Sequence, residues 1–141
     1  MRLTFVAIIG LALIFSLNVI LGWTFGWYLR FDWFDTLLHY LGGLFIALLL
    51  LSYYDSEFAK NSQPFQFFAL LGMTMGIGVL WEFGEFIASQ TLAQPFQNFF
   101  QIKAQFIGNL ADTIEDLLMD TLGGLTVAGL HLLRRRNPQK R

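Results

Sequence analysis

Asp112, Asp116 and Asp120 stand four residues apart in the last apolar stretch of the chain, so on a helix their carboxylates share one face. The stretch continues through residues 125–133, which are apolar enough to lie in a bilayer. Carboxylates inside a membrane segment are costly and mark functional sites. Two further apolar segments carry matching groups, Asp35 with His39 and Glu82 with Glu85, again at spacings that hold both side chains to one helix face. Carboxylates with a single imidazole suit Mg2+, Mn2+, Zn2+ or iron, and glutamates on facing bundle helices resemble di-metal carboxylate sites, although the Glu-x-x-His motif of those sites is absent. The expected metal ligands are therefore Asp35, His39, Glu82, Glu85, Asp112, Asp116 and Asp120, with His39, Glu82 and Glu85 as the candidate catalytic groups.

With Glu115, these positions hold seven of the ten acidic residues, and the bases nearby are at most Arg30, Lys103 and His39. So many carboxylates cannot all stay ionised in a low-dielectric setting without cations, so either a metal compensates them or several hold protons. Plainer readings stand beside this one. Asp35 and Asp112 suit helix N-termini as caps or first-turn acids. Glu115 falls on a different helix face and reads as solvated, Glu82 and Glu85 have Trp and Gln partners within reach, and His39 reads equally as a packed histidine. His131, beside the basic tail, reads as a residue of the helix C-terminus.

The elements that must position these groups are membrane spans. Of 141 residues, 55% are hydrophobic and 13% charged, too apolar for an ordinary soluble domain. Cysteine is absent, which excludes disulfides and thiolate metal sites. Residues 3–21 form a nearly uninterrupted apolar run, about the ~20 residues that a hydrocarbon core requires. Arg2 in front gives the run the look of a signal peptide, but no small-x-small cleavage site follows and an aromatic stretch at 22–28 continues it, so a retained first helix is expected. The fold class expected is all-α, a polytopic four-helix transmembrane bundle forming a single integral membrane domain over 1–141. Its spans are TM1 at about 3–21, TM2 at about 35–54, TM3 at about 65–88 and TM4 at about 112–133, with a basic tail at 134–141. Pro64 suits the opening of TM3, and Gly72, Gly76 and Gly78 in that helix predict close helix packing. Between TM3 and TM4, residues 89–109 alternate Phe96, Phe99, Phe100, Phe106 and Ile107 with Gln, Asn and Lys, the pattern of an interfacial amphipathic or re-entrant segment.

Five of the nine basic residues lie in the tail. With four spans, Arg2, Lys60 and the tail share one side and leave Arg30 and Lys103 on the other, so the positive-inside rule places both termini in the cytoplasm. Depth then follows from the helical rise. Glu82 lies ~25 Å along TM3, while His39 and Asp120 lie ~6 Å and ~12 Å below the starts of TM2 and TM4. All three sets fall in the outer half of the membrane. The tail is short and membrane-proximal, suited to topology and anionic lipid and not to nucleic acid.

Two stretches also match at one offset. Residues 35–44 and 116–125 share D-x-L-[LM]-[HD]-x-L-G-G-L, and Trp23-Thr24-Phe25-Gly26-Trp27 parallels Trp81-Glu82-Phe83-Gly84-Glu85. The expectation is two parallel-repeat hairpins, weighed against chance matching in a Leu- and Gly-rich chain.

At these residues the chain resembles the YjdF-like bacterial inner-membrane proteins and, more distantly, the VanZ-like proteins. Asp35 and His39 with Gly43 match a first element, Trp81, Glu82 and Glu85 a second, and Asp112, Thr113 and Asp116 with Gly123 and Gly124 a third. Asp120 has no counterpart in that pattern, and Leu117 stands where it has Met. The VanZ-like Glu-x-x-Gln and Pro-Gly-Arg elements are missing, so no glycopeptide-resistance role is carried over. The resemblance implies a multi-pass protein of the bacterial inner (plasma) membrane and no particular activity.

The reading favoured by the residues is a metal-assisted hydrolase or transferase acting on a lipid or lipid-linked substrate, with the metal polarising the substrate and His39 or a glutamate moving protons. A cation- or proton-coupled carrier and a small accessory membrane subunit are the alternatives. Four spans make a small transporter unless it oligomerises.

Overall fold

The computed structural model describes residues 2–101, 106 and 108–136. Of the predicted features, Lys103, Ile107 and the end of the tail beyond 136 lie outside the described residues. Among those described, the chain is all helical. The elements are α1 (Arg2–Leu17), α2 (Trp33–Tyr53), α3 (Asp55–Ala59), α4 (Gln63–Thr91), α5 (Ala93–Phe100) and α6 (Leu110–Arg136). Four helices, counting α1 with its extension to Thr24, are long and apolar enough to cross a membrane, and the protein is a polytopic membrane protein.

Local chemistry sets the ends of these helices. α1 does not close as an ordinary α-helix; it widens into a π-helical segment over Asn18–Thr24, in which Phe25 N–H donates to Ile20 C=O. The sequence, which has no proline there, reads as one continuous helix. Gly26 then takes φ 67°, a left-handed conformation that glycine adopts without a Cβ clash, and turns the chain into a short 3-10 turn at Trp27–Leu29. α4 opens after an extended Ser62, with Pro64 in its first turn, where the missing N–H costs nothing. α6 is capped by Asn109, whose Oδ1 accepts from Ala111 N–H at 2.8 Å and Asp112 N–H at 3.3 Å. Asp112 is thus a first-turn acid and not the cap, and α4 absorbs the first part of the expected interfacial segment. Ala93–Phe100 of it folds as the amphipathic α5. Phe96 and Phe106 meet Trp23 edge-on, at 5.4 and 4.9 Å between ring centroids, so an aromatic cluster pins the α4–α6 connection to the end of the first span.

α2 is the centre of the bundle, packing on α1, α4 and α6. Lipid offers no hydrophobic driving force between helices, so close van der Waals approach must hold them together. The tightest approach is between α2 and α6. A Cβ on Gly43 would overlap the backbone of Asp120, and one on Gly123 would overlap the Tyr40 carbonyl. On α4 it is Gly78 that lies against the Asp120 carboxylate, whereas Gly72 and Gly76 face open space and do not make the close packing expected of them. α2 and α6 run parallel, Thr36 opposite Glu115 and Tyr40 opposite Thr126. α1 and α4 run antiparallel to them, Thr4 meeting Ser52 and Gln66 meeting His131. The apolar core of Ala47, Phe58, Leu70, Val127 and Ala128 fills the end of the bundle nearer the tail. The first element of the sequence repeat holds equivalent places on two parallel helices. The second does not: Trp23–Trp27 ends a helix, while Trp81–Glu85 runs on inside α4.

Candidate metal centre

The other end of the bundle is polar inside. His39 projects from the second turn of α2 and is 6% exposed. Its Nε2 lies 3.6 Å from Asp35 Oδ1, 3.9 Å from Glu82 Oε1 and 3.9 Å from Asp116 Oδ2, so one imidazole nitrogen faces carboxylates from three helices. These separations exceed the ~2.7–3.2 Å of good hydrogen bonds. They fit within the ~4.2 Å that can separate two donor atoms each ~2.1 Å from a shared ion. Ligand atoms of Asp35, His39 and Asp116 all lie within 4.8 Å of one another, as do those of His39, Glu82 and Glu85. His39 belongs to both groups.

Glu82 is the decisive residue. It is 5% exposed, and both its oxygens are sealed from solvent with no hydrogen-bond partner. Thr113 approaches this carboxylate without a hydrogen bond of good geometry. A buried carboxylate without partners costs several kcal/mol, by the ~1–3 kcal/mol penalty for an orphaned polar group and more for a charge. It persists only where something else recovers that cost. Glu85, half-buried one turn further on, is held by Trp81, whose Nε1–H donates to Oε1 at 3.0 Å.

Not all seven predicted ligands converge in the same way. Asp120 lies on the far side of the ring, its Oδ2 3.5 Å from Nδ1. A proton on Nδ1 facing Asp120 leaves the Nε2 lone pair directed at Asp35, Glu82 and Asp116, the arrangement in which a second carboxylate orients a metal-binding histidine. Asp112 lies apart, on a vestibule of about 490 Å3 at the mouth of the bundle, with Glu115, Asp32, Asp35 and Glu85. Glu115 is exposed, as its helix face predicts, and accepts from Thr36 Oγ1 at 3.5 Å.

Two residues of the site lie outside the sequence prediction. Tyr28, from the short 3-10 turn, lines the vestibule. Burial raises its phenol well above the ordinary value of 10.0, and the charges of Asp35, Glu85 and Asp116 raise it further, so it stays protonated and able to donate. Nothing in the aromatic loop distinguishes it from its neighbours. Asn18 is 7% exposed, with its Oδ1 unpartnered. A buried-depth amide in an otherwise apolar run was the available signal.

Helix content, span lengths and a buried acid–histidine cluster define a four-span membrane protein with an internal cluster able to coordinate a metal ion. Residues 1–137 match the family described as "Predicted membrane protein (DUF2238)", and the chain belongs to that family. Neither a curated protein nor a solved structure matches it.

Proposed function

We propose that Asp35, His39, Glu82, Glu85 and Asp116 hold a divalent cation and that the loaded site is a hydrolase or transferase centre for a lipid or lipid-linked substrate. The observation that carries this reading is Glu82, a sealed carboxylate without a hydrogen bond of good geometry beside an imidazole ringed by acids. The cation supplies charge compensation and Lewis acidity. Asp120 fixes the imidazole, Trp81 fixes Glu85, and Glu85 at the vestibule is placed to move a proton to or from a ligand there. The acidic vestibule also supports a second reading, a cation carrier that draws ions toward His39. We place the protein in a bacterial plasma membrane with both termini cytoplasmic, on the distribution of basic residues; a reporter fused after Lys60 would read inside. The likeness of its motifs to YjdF-like proteins belongs to the same proposal.

Thermal unfolding in detergent with Mn2+, Zn2+ or Mg2+ tests the centre. At a hundredfold excess over Kd, a ligand that binds only the folded protein stabilises it by ~2.7 kcal/mol. Glu82→Ala and Asp116→Ala should abolish the shift, and Glu57→Ala, an exposed residue paired with Lys60, should keep it. The shift should need more metal as pH falls, because protons compete for the ligands. No shift with any of the three ions would overturn the metal centre.

A further inference from the structure

A cleft of about 300 Å3 runs between α1 and α4, floored by α2. It exists because α1 packs along α2 and barely touches α4. Its walls are apolar, including Leu11 and Ile14 from α1, Ile46 from α2 and Ile77 from α4, and Phe15 and Ile77 at its rim are exposed on the surface that faces lipid. Its inner end is polar: His39, Asp35 and Asp120 line it, and so does Asn18. The antiparallel register set by Thr4 against Ser52 and Gly10 against Phe45 carries Asn18 to the level of Leu37 and Leu38, next to His39 in the chain. The π-helical segment begins at this residue, and such segments are frequent at functional sites. Asn18 thus lines the cleft together with His39 and Asp35, and its buried Oδ1 has no hydrogen-bond donor. Asp35 also lines the vestibule, so the apolar cleft and the acidic vestibule meet at one residue.

We infer that the cleft admits one hydrocarbon chain of a membrane amphiphile sideways from the bilayer and brings its polar terminus, a phosphate, to Asn18, Asp35 and His39. A channel for ions or water would not have walls this apolar, and a bilayer surrounding an apolar slot offers acyl or alkyl chains at high concentration. The volume is at the lower end of the ~300–1,000 Å3 of small-molecule sites, enough for one chain with the rest of the lipid left in the membrane. A phosphate cannot approach a wall of carboxylates alone, so this part rests on the metal reading: the terminus binds together with the cation. A protonated phosphate oxygen then donates to Asn18 Oδ1.

The test is photolabelling in detergent with a long-chain alkyl phosphate that carries a diazirine in its chain, with the matching alkanol and alkane as controls. Labels from the phosphate should concentrate on cleft residues such as Leu11 and Ile46, at least fivefold over exposed Phe68. Ile77→Trp, which blocks the rim, should remove that enrichment and keep the metal shift; Leu80→Trp, exposed outside the cleft, should change neither. Asp116→Ala should lose the metal shift and the advantage of phosphate over alkanol, yet keep alkanol labelling, so failure of the metal centre is told apart from failure of the cleft. The cysteine-free chain allows a second measurement. Ile46→Cys should resist a water-soluble maleimide; rapid reaction would reveal an aqueous path and overturn the inference. Uniform labelling of all lipid-facing positions, unchanged in Ile77→Trp, would overturn it as well.

Discussion

His39 and His131 sit at opposite ends of the same bundle, and each faces a polar side chain on α4. At the tail end, Gln66 is 2% exposed and fully used: its Nε2 donates to Asn61 C=O at 2.7 Å, and its Oε1 takes His131 Nε2–H at 3.0 Å. Because the amide nitrogen is committed to Asn61, the amide oxygen must accept, which puts the proton on His131 Nε2. Around this pair lies the apolar core. At the other end, His39 faces four carboxylates at 3.5–3.9 Å, and Glu82 has no hydrogen bond of good geometry. One end satisfies its buried polar groups among themselves and thereby stabilises the fold. The other leaves them open, as a site awaiting a ligand does.

That contrast fails if the two ends respond alike to substitution. The largest effect belongs to the core: Leu70→Ala, at a residue 1% exposed, should cost ~2–5 kcal/mol by thermal unfolding in detergent. Leu38→Ala should fall at the low end of that range, because Leu38 already lines the cleft and loses fewer contacts. Equal losses would mean that the site end is packed as a core.

The polar groups give the next largest difference. Gln66→Leu leaves the His131 N–H without its acceptor and should cost ~1–3 kcal/mol. Glu82→Gln removes a buried charge that no hydrogen bond of good geometry holds, so metal-free stability should stay level or rise. A loss above ~1 kcal/mol in Glu82→Gln would make Glu82 a structural group.

The last difference, smallest when read per pH unit, is in alkali. Tyr28 holds its proton more tightly when folded than the ordinary phenol at 10.0. As pH rises through 10, the unfolded chain releases this proton and the folded one does not, so stability falls by up to ~1.4 kcal/mol per pH unit until the folded phenol also ionises. Tyr28→Phe should flatten that fall. An unchanged slope in denaturation followed by phenolate absorbance would place Tyr28 in water and take it out of the site.

Much of this architecture is legible in residue order, for reasons that are local. Span positions follow from apolar length, since a bilayer core sets the number of residues that must be buried. The common depth of His39, Glu82 and Asp120 follows from helical rise counted from the helix ends, which needs no knowledge of packing. Even the contrast between the histidines has a trace in the sequence, with His39 four residues from Asp35 and His131 beside a basic tail.

What tertiary structure alone decided is rotation and lean. Gly43 and Gly123 make the close crossing and Gly72 and Gly76 do not, because contact depends on which way each helix is turned about its axis. Asp120, at the same spacing from Asp116 as Asp112, reaches the opposite ring nitrogen from Asp116 because Gly43 and Gly78 let its backbone and carboxylate press in between α2 and α4. Asn18 and Tyr28 join the site through a π-helical segment and a left-handed Gly26, departures that a hydrophobic pattern does not encode. The cleft itself comes from α1 leaning on α2 and away from α4, a choice among packings of equally apolar helices that composition cannot make.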